Sequence, residues 1–408
     1  MNSVERWVYD RVQYSPFLKN FLVFVYRGIL GFMPGKPIIS QREVLVRPGY
    51  FFGFHDKTPW SFDNQYLLAH QFNISSSKVS LGNKIKLGFF EGPGWTHFVP
   101  VGQTTAWNWQ TGAMLQWLGA TMRFIANDQE GNCHVSKIFG MRGHEETIPY
   151  PIGAIDREGH LALSYSFNRL RIAGRGYGYA AGNESDMGND TTKKAWLRLL
   201  NLRLGSDYCL FCLKEITDCL PEGTMKNSYH FFSHCLFSPS GKRFLFLHCW
   251  VTRNKNLYNR MFSANIDGSH LHVFPTSGKI SHIAWIDNEK ILAYARTSEG
   301  ECYVVFKDKS DDITCLNKLD LPSDGHPQVF GSRYVLTDTY PDGFRYQRLI
   351  LFDLFLGKRK DLAWVRSPFS YLHSIAGGAK CDLHPRWDRT GNNVCFDSAH
   401  TGIRSLCT

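Results

Sequence analysis

The 408-residue sequence lacks the features that mark several large protein classes. It has no dense stripe of Lys and Arg, no helix-turn-helix pattern and no zinc-finger spacing, so nucleic acid is not expected as a partner. Its eleven cysteines are odd in number and scattered, and Cys209 and Cys212, which come nearest to a paired motif, have no second pair. This usage predicts a reducing compartment rather than a disulfide framework.

The sequence also lacks a long uninterrupted hydrophobic run and a secretory leader pattern. The most apolar stretch, FLKNFLVFVYRGILGFMPGK, carries Arg27 at its centre and is too short and interrupted to span a bilayer. Residues 1–40 predict a helical segment that either packs under the main domain or lies on a membrane surface through its aromatic and basic side chains. We therefore expect a cytoplasmic protein, with peripheral contact at the inner membrane as the second alternative.

What the sequence does contain is a globular composition with a basic balance. It is 43% hydrophobic, 14% aromatic and 20% charged, with a net charge of +10 and an isoelectric point near 9.0. A basic surface of this kind favours anionic partners such as acidic glycans or membrane headgroups, although a generally solvated basic surface explains it equally well.

A repeated segment runs through the chain. The stretch SHCLFSPSGKRFLFLH has a histidine, an aromatic anchor three residues later, a polar turn and a second apolar strand. SHIAWIDNEKILAYAR, GHPQVFGSRYVLTDTY and LHPRWDRTGNNVCFDSAH repeat this order, and weaker copies precede them. The anchors are Trp60, Trp117, Ile155, Phe237, Trp285, Val329 and Trp387. Strand repeats of roughly 40 to 50 residues are typical of β-propellers, so we predict an all-β, seven-bladed propeller over residues 41–408.

The same pattern predicts how the ring closes and where it is interrupted. REVLV, at residues 42–46, precedes the first blade and is expected to complete the last one. The longer gaps, 71–106 and 171–230, are interpreted as insertions on one face of the disc. The second gap contains TTKKAWLRLLNLRLG, which predicts a helix.

Four histidines occupy one position of the repeat, three residues before the anchor. They are His234, His282, His326 and His384. Because the innermost strand starts each blade, these side chains are expected to converge on the propeller axis. Such a cluster could hold a divalent cation (Mn, Ca or Zn), since imidazole is a common transition-metal ligand. The alternative is that each histidine packs one blade against the next.

Other polar and aromatic residues are expected at the same end of the channel. GFHDKTPW contributes His55 and Lys57, and WNWQTG contributes Trp107, Asn108 and Gln110, which suit sugar hydroxyls and stacking. A glycine-rich stretch that follows the second strand of the third blade carries arginines and tyrosines that could reach a substrate carboxylate. The residues concerned are Arg169, Arg175, Tyr177 and Tyr179, with His230 on the approach to the fourth blade.

Seven blades with channel histidines resemble the propeller polysaccharide lyases, namely the oligogalacturonate and ulvan lyases. HPRWDRTGNNVCFDS and SHCLFSPSGKRFLFLH are the segments most similar to theirs. The resemblance implies β-elimination of an acidic, uronate-containing glycan, with either a metal on channel histidines or Arg, His and Tyr side chains neutralising the carboxylate.

On that resemblance, the expected roles are as follows. Arg169 or a metal on the histidines neutralises the uronate carboxylate. His55 or His230 is the base that takes the proton, and Tyr177 or Tyr179 is the acid that protonates the leaving oxygen. The second alternative is a non-catalytic propeller that binds glycan or protein partners through the same face.

Overall fold

The computed structural model describes residues 34–73, 81–173, 176–180, 195–298, 300–371 and 379–408. The expected N-terminal helix lies almost entirely outside these ranges. Residues 38–40, which the same expectation included, form a strand instead. None of the helices in the described ranges has the length and apolar character needed to cross a membrane.

Seven antiparallel sheets follow one another along the chain, as predicted for a seven-bladed propeller. Blade one contains β3 (Tyr50–Phe51), β4 (Leu67–Gln71), β5 (Ile85–Glu91) and β6 (His97–Thr104). Blade two contains β7 (Gln116–Trp117), β8 (Phe124–Glu130), β9 (Cys133–Gly140) and β10 (Gly143–Ile148). Blade three contains β11 (Ala154–Ile155), β12 (Leu161–Ser164), β13 (Trp196–Asn201) and β14 (Ser206–Cys212). Blade four contains β15 (Tyr229–Phe237), β16 (Arg243–Val251), β17 (Leu257–Asn265) and β18 (His272–Val273).

The remaining blades use strands from both ends of the chain. Blade five contains β19 (Ile280–Trp285), β20 (Lys290–Thr297), β21 (Gly300–Lys307) and β22 (Ile313–Cys315). Blade six contains β23 (Gln328–Phe330), β24 (Tyr334–Asp338), β25 (Tyr346–Asp353) and β26 (Lys358–Arg366), with β1 (Ile38–Ser40) added at its outer edge. Blade seven contains β27 (Arg386–Trp387), β28 (Val394–Ser398) and β29 (Ser405–Cys407), and β2 (Val46–Pro48) completes it.

The ring therefore closes as the sequence predicted, through an N-terminal strand added to the last blade. The closing strand is Val46–Pro48 rather than residues 42–46. Val46 is opposite Cys407 and Pro48 is opposite Ser405, and the amide of Leu45 donates to the carbonyl oxygen of Thr408. Joining the first strands to the last blade removes the open edge that a row of blades would otherwise leave.

The two predicted insertions are wrong in their main parts. Strands β5 and β6 fill the gap after residue 71, and β13 and β14 fill the end of the gap after residue 171. In the described part of the predicted helix TTKKAWLRLLNLRLG, Trp196–Asn201 is a strand followed by a turn, and its buried Leu197 and Leu199 alternate with the half-buried Trp196 and Arg198. Period-two alternation is the pattern of a half-buried strand, and the density of leucine had concealed it.

In the described ranges, one short helix lies within blade three, between β12 and β13, and a second lies between β14 of blade three and β15 of blade four. They are α1 (Phe167–Ile172) and α2 (Leu213–Asp218), and 3₁₀ turns lie at Gly223–Met225 and Phe369–Tyr371. The cores lie between neighbouring sheets and are rich in aromatic side chains, such as the stacked rings of Phe246 and Phe262. Each sheet thus supplies part of its neighbour's core, as a ring of small sheets requires.

Candidate functional site in the propeller channel

The four repeat histidines converge with His55 around one aromatic ring, that of Phe54. The ring centroid of Phe54 lies 4.4 Å from that of His55, 5.1 Å from His234, 5.8 Å from His282, 6.2 Å from His326 and 5.2 Å from His384. The His282 and His326 rings are 4.0 Å apart, and those of His326 and His384 are 4.2 Å apart. We name these five histidines the channel cluster.

Irregular backbone at the start of the inner strands turns these side chains inward. The ladder of β15 shifts register between Ser233 and Leu236, which leaves His234 at a bulge with a φ of 48°. His384 has a φ of 44°, and β19 shifts register around His282. Left-handed backbone is uncommon for residues other than glycine, and bulges of this kind redirect a side chain.

Burial favours the neutral form of four members of the cluster. It lowers the pKa of His55, His326 and His384 well below the ordinary value, and the neighbouring histidines add to this effect. Burial also lowers the pKa of His234 to about 3, with help from His282 and Lys57. Neutral imidazoles carry a nitrogen lone pair, which is the form that binds a metal ion or accepts a proton.

In three of the rings, a hydrogen bond to Nδ1 indicates that Nε2 carries the lone pair. His55 Nδ1 lies 2.7 Å from the carbonyl oxygen of Pro327, so it donates and leaves Nε2 as the acceptor. His326 Nδ1 lies 2.7 Å from Asp338 Oδ1, and His282 Nδ1 lies 3.1 Å from Asp324 Oδ1. A carboxylate on one ring nitrogen orients the other toward a ligand.

Three buried residues form a group suited to a metal ion. His326, Asp382 and His384 each offer one ligand atom, and these atoms lie within 4.8 Å of one another. Both ring nitrogens of His384 and the Nε2 of His55 are buried without a hydrogen-bond partner. Lone pairs left unsatisfied in the interior are costly, and a cation would satisfy them. The donor set, two imidazoles and a carboxylate, therefore fits a divalent transition metal.

Asp338 ties two members of this group together. It accepts hydrogen bonds from the backbone N–H of His326 at 2.8 Å and of His384 at 3.0 Å, besides the ring contact described above. Burial raises its pKa from 3.8 to about 7. Asp338 is thus a positioning residue for both histidines.

A cavity of about 520 Å³ adjoins the channel cluster over blades four and five. Its polar side includes His234, His282 and Tyr177, and two lysines, Lys279 and Lys380, give it positive charge. The described lining residues are Gln110, Leu170, Gly176, Tyr177, Phe231, Ser233, His234, Leu247, Cys249, Leu257, Asn259, Gly278, Lys279, Ile280, Ser281, His282 and Lys380. This volume is within the range of small-molecule sites, and its charge suits an anionic ligand.

Several predicted residues therefore meet at one place. Gln110 and Tyr177 line the cavity, and the Tyr177 ring stands edge-on to His234 at 5.1 Å. Lys57 donates to Asp56 Oδ2 at 2.6 Å, beside His234. Phe54 was not predicted, and its ring fills the centre of the channel cluster.

Arg169 and His230 are not where the sequence analysis expected them. The Nε of Arg169 donates to the carbonyl oxygen of His230 at 2.9 Å, and its guanidinium lies 4.6 Å from the centre of the Tyr229 ring. Both ring nitrogens of His230 are engaged, with His248 and with the carbonyl oxygen of Met225, each at 3.0 Å. Neither residue is among the described residues that line the cavity.

Tyr179, Trp107 and Asn108 also belong to the packing. Tyr179 is fully buried, stacks on Phe167 at 4.5 Å, and its hydroxyl accepts from the side chain of Asn127 at 2.8 Å. Trp107 is fully buried and donates to the carbonyl oxygen of Asn83.

The Asn108 side chain is occupied by local bonds rather than by a sugar. It accepts from the backbone of Gln110 and Thr111 and donates to Thr111 Oγ1 and to the carbonyl oxygen of Tyr177. Such an Asx turn satisfies the amide within the fold. Arg175 lies outside the described residues.

Comparisons with known proteins give the fold and no family. No protein-family model and no curated protein matches the sequence. An oligogalacturonate lyase from Vibrio parahaemolyticus is similar in structure, with a TM-score of 0.58 and 10% identity over 91% of this chain and 98% of that chain. The tricorn protease gives a TM-score of 0.51 at 10% identity, over 90% of this chain and 34% of that one. TolB from Acinetobacter baumannii gives 0.40 at 12% identity, over 84% of this chain and 79% of that chain. The protein is thus an all-β propeller whose architecture is similar to that of the Vibrio lyase.

Proposed function

We propose that the protein is a polysaccharide lyase that cleaves a uronate-containing glycan by β-elimination, in the cavity beside the channel cluster. The observation that carries this proposal is the meeting of histidines oriented by hydrogen bonds with a cavity of sugar size that two lysines line. Its similarity in fold to the Vibrio oligogalacturonate lyase supports the same reading.

The partner is an acidic polysaccharide or oligosaccharide. Lys279 and Lys380 line the cavity and attract the uronate carboxylate. Positive charge beside the carboxylate makes the neighbouring C5 proton more acidic, which is the first requirement of the reaction.

His282 is the proposed base. Burial acts to raise the pKa of Asp324, but its interaction with His282 and the hydrogen bonds from His282 and Ser281 outweigh it and lower that pKa. The ionised Asp324 therefore holds the Nδ1 proton of His282, and Nε2 is left to accept a proton in the cavity. The sequence had predicted His55 or His230 as the base. We assign this role to His282 instead, because His282 lines the cavity.

Tyr177 is the proposed acid. As C5–H and C4–O break, a C4=C5 double bond forms, His282 takes the C5 proton, and the Tyr177 hydroxyl protonates the departing oxygen. Tyr177 lines the cavity next to His234, whereas Tyr179 is enclosed in the core.

A divalent cation would be held by His326, His384 and Asp382, with His55 nearby. When bound, it would supply positive charge that stabilises negative charge on an adjacent carboxylate. The neighbouring residues position this group: Asp338 orients the two histidines, and the Phe54 ring packs against His384.

The test is the near-ultraviolet absorbance of the unsaturated uronate that elimination creates and hydrolysis does not. Acidic glycans should be assayed with Mn²⁺ and with EDTA, using the wild type, His282→Gln and a control, His97→Gln, at an exposed histidine paired with Glu91. We expect absorbance to rise with at least one glycan, and His282→Gln alone to reduce the rate by about a hundredfold or more.

If no glycan yields the chromophore, the lyase proposal fails. Reversible binding of an acidic glycan under those conditions would instead favour a non-catalytic propeller that binds through the same cavity.

A further inference from the structure

Lys380 lies between the cavity and the candidate metal group. Its Nζ is 2.7 Å from Asp382 Oδ2 and 4.7 Å from the centre of the Tyr340 ring, and its side chain also lines the cavity. The pair is largely enclosed, with the Lys380 side chain 20% exposed and that of Asp382 4% exposed. One ammonium group is therefore within reach of two different anionic positions.

Asp382 has two competing uses in this arrangement. It is the only carboxylate in the group with His326 and His384, and it is also the partner of Lys380. A divalent cation bound to this group would lie close to the Lys380 ammonium, and like charges at this separation repel strongly where water is excluded. The cation and the ammonium thus exclude each other from the same carboxylate.

Hydrogen bonds hold the backbone of Lys380, whereas its ammonium group is at the end of a long side chain. Its carbonyl oxygen accepts hydrogen bonds from the guanidinium of Arg404, at 2.5 Å, and from Gln110 Nε2, at 2.9 Å. The lysine side chain has four flexible carbons and a charge without directional preference. The ammonium can therefore exchange its anionic partner without any movement of the fold.

We propose that Lys380 couples cation binding to the binding of the anionic sugar. In the metal-free protein Lys380 neutralises Asp382; when a divalent cation takes that carboxylate, the ammonium turns to the uronate in the cavity. Each ligand then strengthens the other, because thermodynamic coupling between two sites is reciprocal. The inference rests on the proposed function for the identity of the sugar, but it concerns binding and not cleavage.

The test is calorimetric titration of the full chain with Mn²⁺, with and without D-galacturonate, which has no glycosidic bond at C4 to eliminate. The reverse titration measures galacturonate binding with and without Mn²⁺. We expect each ligand to lower the dissociation constant of the other by about tenfold. His384→Ala should remove the Mn²⁺ binding signal, which would assign that signal to the group of His326, Asp382 and His384.

Two lysine variants separate coupling from simple charge attraction. Lys380→Met should bind Mn²⁺ more tightly than the wild type, because the competing ammonium is gone, and galacturonate should no longer change that affinity. Lys279→Met is the matched control: it also lines the cavity, but its Nζ pairs with Glu301 at 2.7 Å on blade five. Lys279→Met should weaken the binding of galacturonate and leave the Mn²⁺ affinity and the coupling factor unchanged.

The proposal is overturned if Lys380→Met weakens Mn²⁺ binding, if it leaves the coupling intact, or if the wild type shows no coupling. These outcomes are distinct from failure of the lyase proposal. A protein that shows the coupling and forms no unsaturated uronate retains the Lys380 mechanism and loses the catalytic one.

Discussion

Replacing Asp338 with asparagine tests whether the channel cluster is organised to bind a cation. The Asp338 carboxylate accepts three N–H groups, two from His326 through Oδ1 and one from the His384 backbone through Oδ2. In Asp338→Asn the amide oxygen can keep the His326 contacts, but the amide nitrogen then faces the His384 N–H, donor against donor.

The expected size of the effect comes from that one lost contact. A hydrogen bond to a charged acceptor contributes about 1.5–3 kcal/mol, and about 1.4 kcal/mol corresponds to a tenfold change in Kd. We therefore expect Mn²⁺ to bind about 10- to 100-fold more weakly, which agrees with the usual effect of residues that orient metal ligands. Stability in EDTA at pH 8 should change much less, because removing a buried carboxylate that has a raised pKa relieves a burial penalty.

Chelator competition measures the Mn²⁺ affinity, and urea unfolding in EDTA measures the stability. The control is Asp324→Asn, which alters the carboxylate partner of His282 outside the three-residue group. Unchanged Mn²⁺ affinity in Asp338→Asn, or a larger loss in the control, would refute the assignment of Asp338 as a positioning residue.

Three further predictions concern pH and the residues that the fold relocated. Because burial raises the pKa of Asp338 from 3.8 to about 7, its contribution to the stability of the metal-free protein should fall by up to about 4 kcal/mol as pH rises from about 4 to about 7. Urea unfolding should show that the free energy of unfolding of Asp338→Asn lacks this decline with pH. Parallel curves of unfolding free energy against pH for the variant and the wild type would contradict the prediction. Tyr177→Phe should slow elimination by about a hundredfold. Tyr179→Phe should instead cost about 1 kcal/mol of stability, because it loses the hydrogen bond with Asn127, and should leave the rate unchanged. Equal rate losses in the two variants would contradict the assignment of Tyr177 as the acid. Arg169→Ala should lower the unfolding free energy by about 2 kcal/mol and spare the rate, and a rate loss without destabilisation would return Arg169 to the active site.

The local pattern of the chain determined the architecture. Strand alternation, polar turns and anchor residues depend on near neighbours, so Phe237, Trp285 and Trp387 could be read as strand ends without any knowledge of the rest. Convergence of the repeat histidines also followed, because equivalent positions in a closed ring face one axis. The alternation of Leu197 and Leu199 was present too, but the leucine-rich composition was read as a helix.

The tertiary structure decided which polar residues reach the cavity. Tyr177 and Tyr179 are two residues apart in the same glycine-containing stretch, yet one lines the cavity and the other stacks on Phe167 and bonds to Asn127 of blade two. No local signal separates them, because the difference comes from a neighbouring blade. Asp338 likewise acquires its role only in the closed ring, because the His384 N–H that it accepts comes from the neighbouring blade. The fold could be predicted because its causes are local, and the site could be predicted only in part because its causes are contacts between blades.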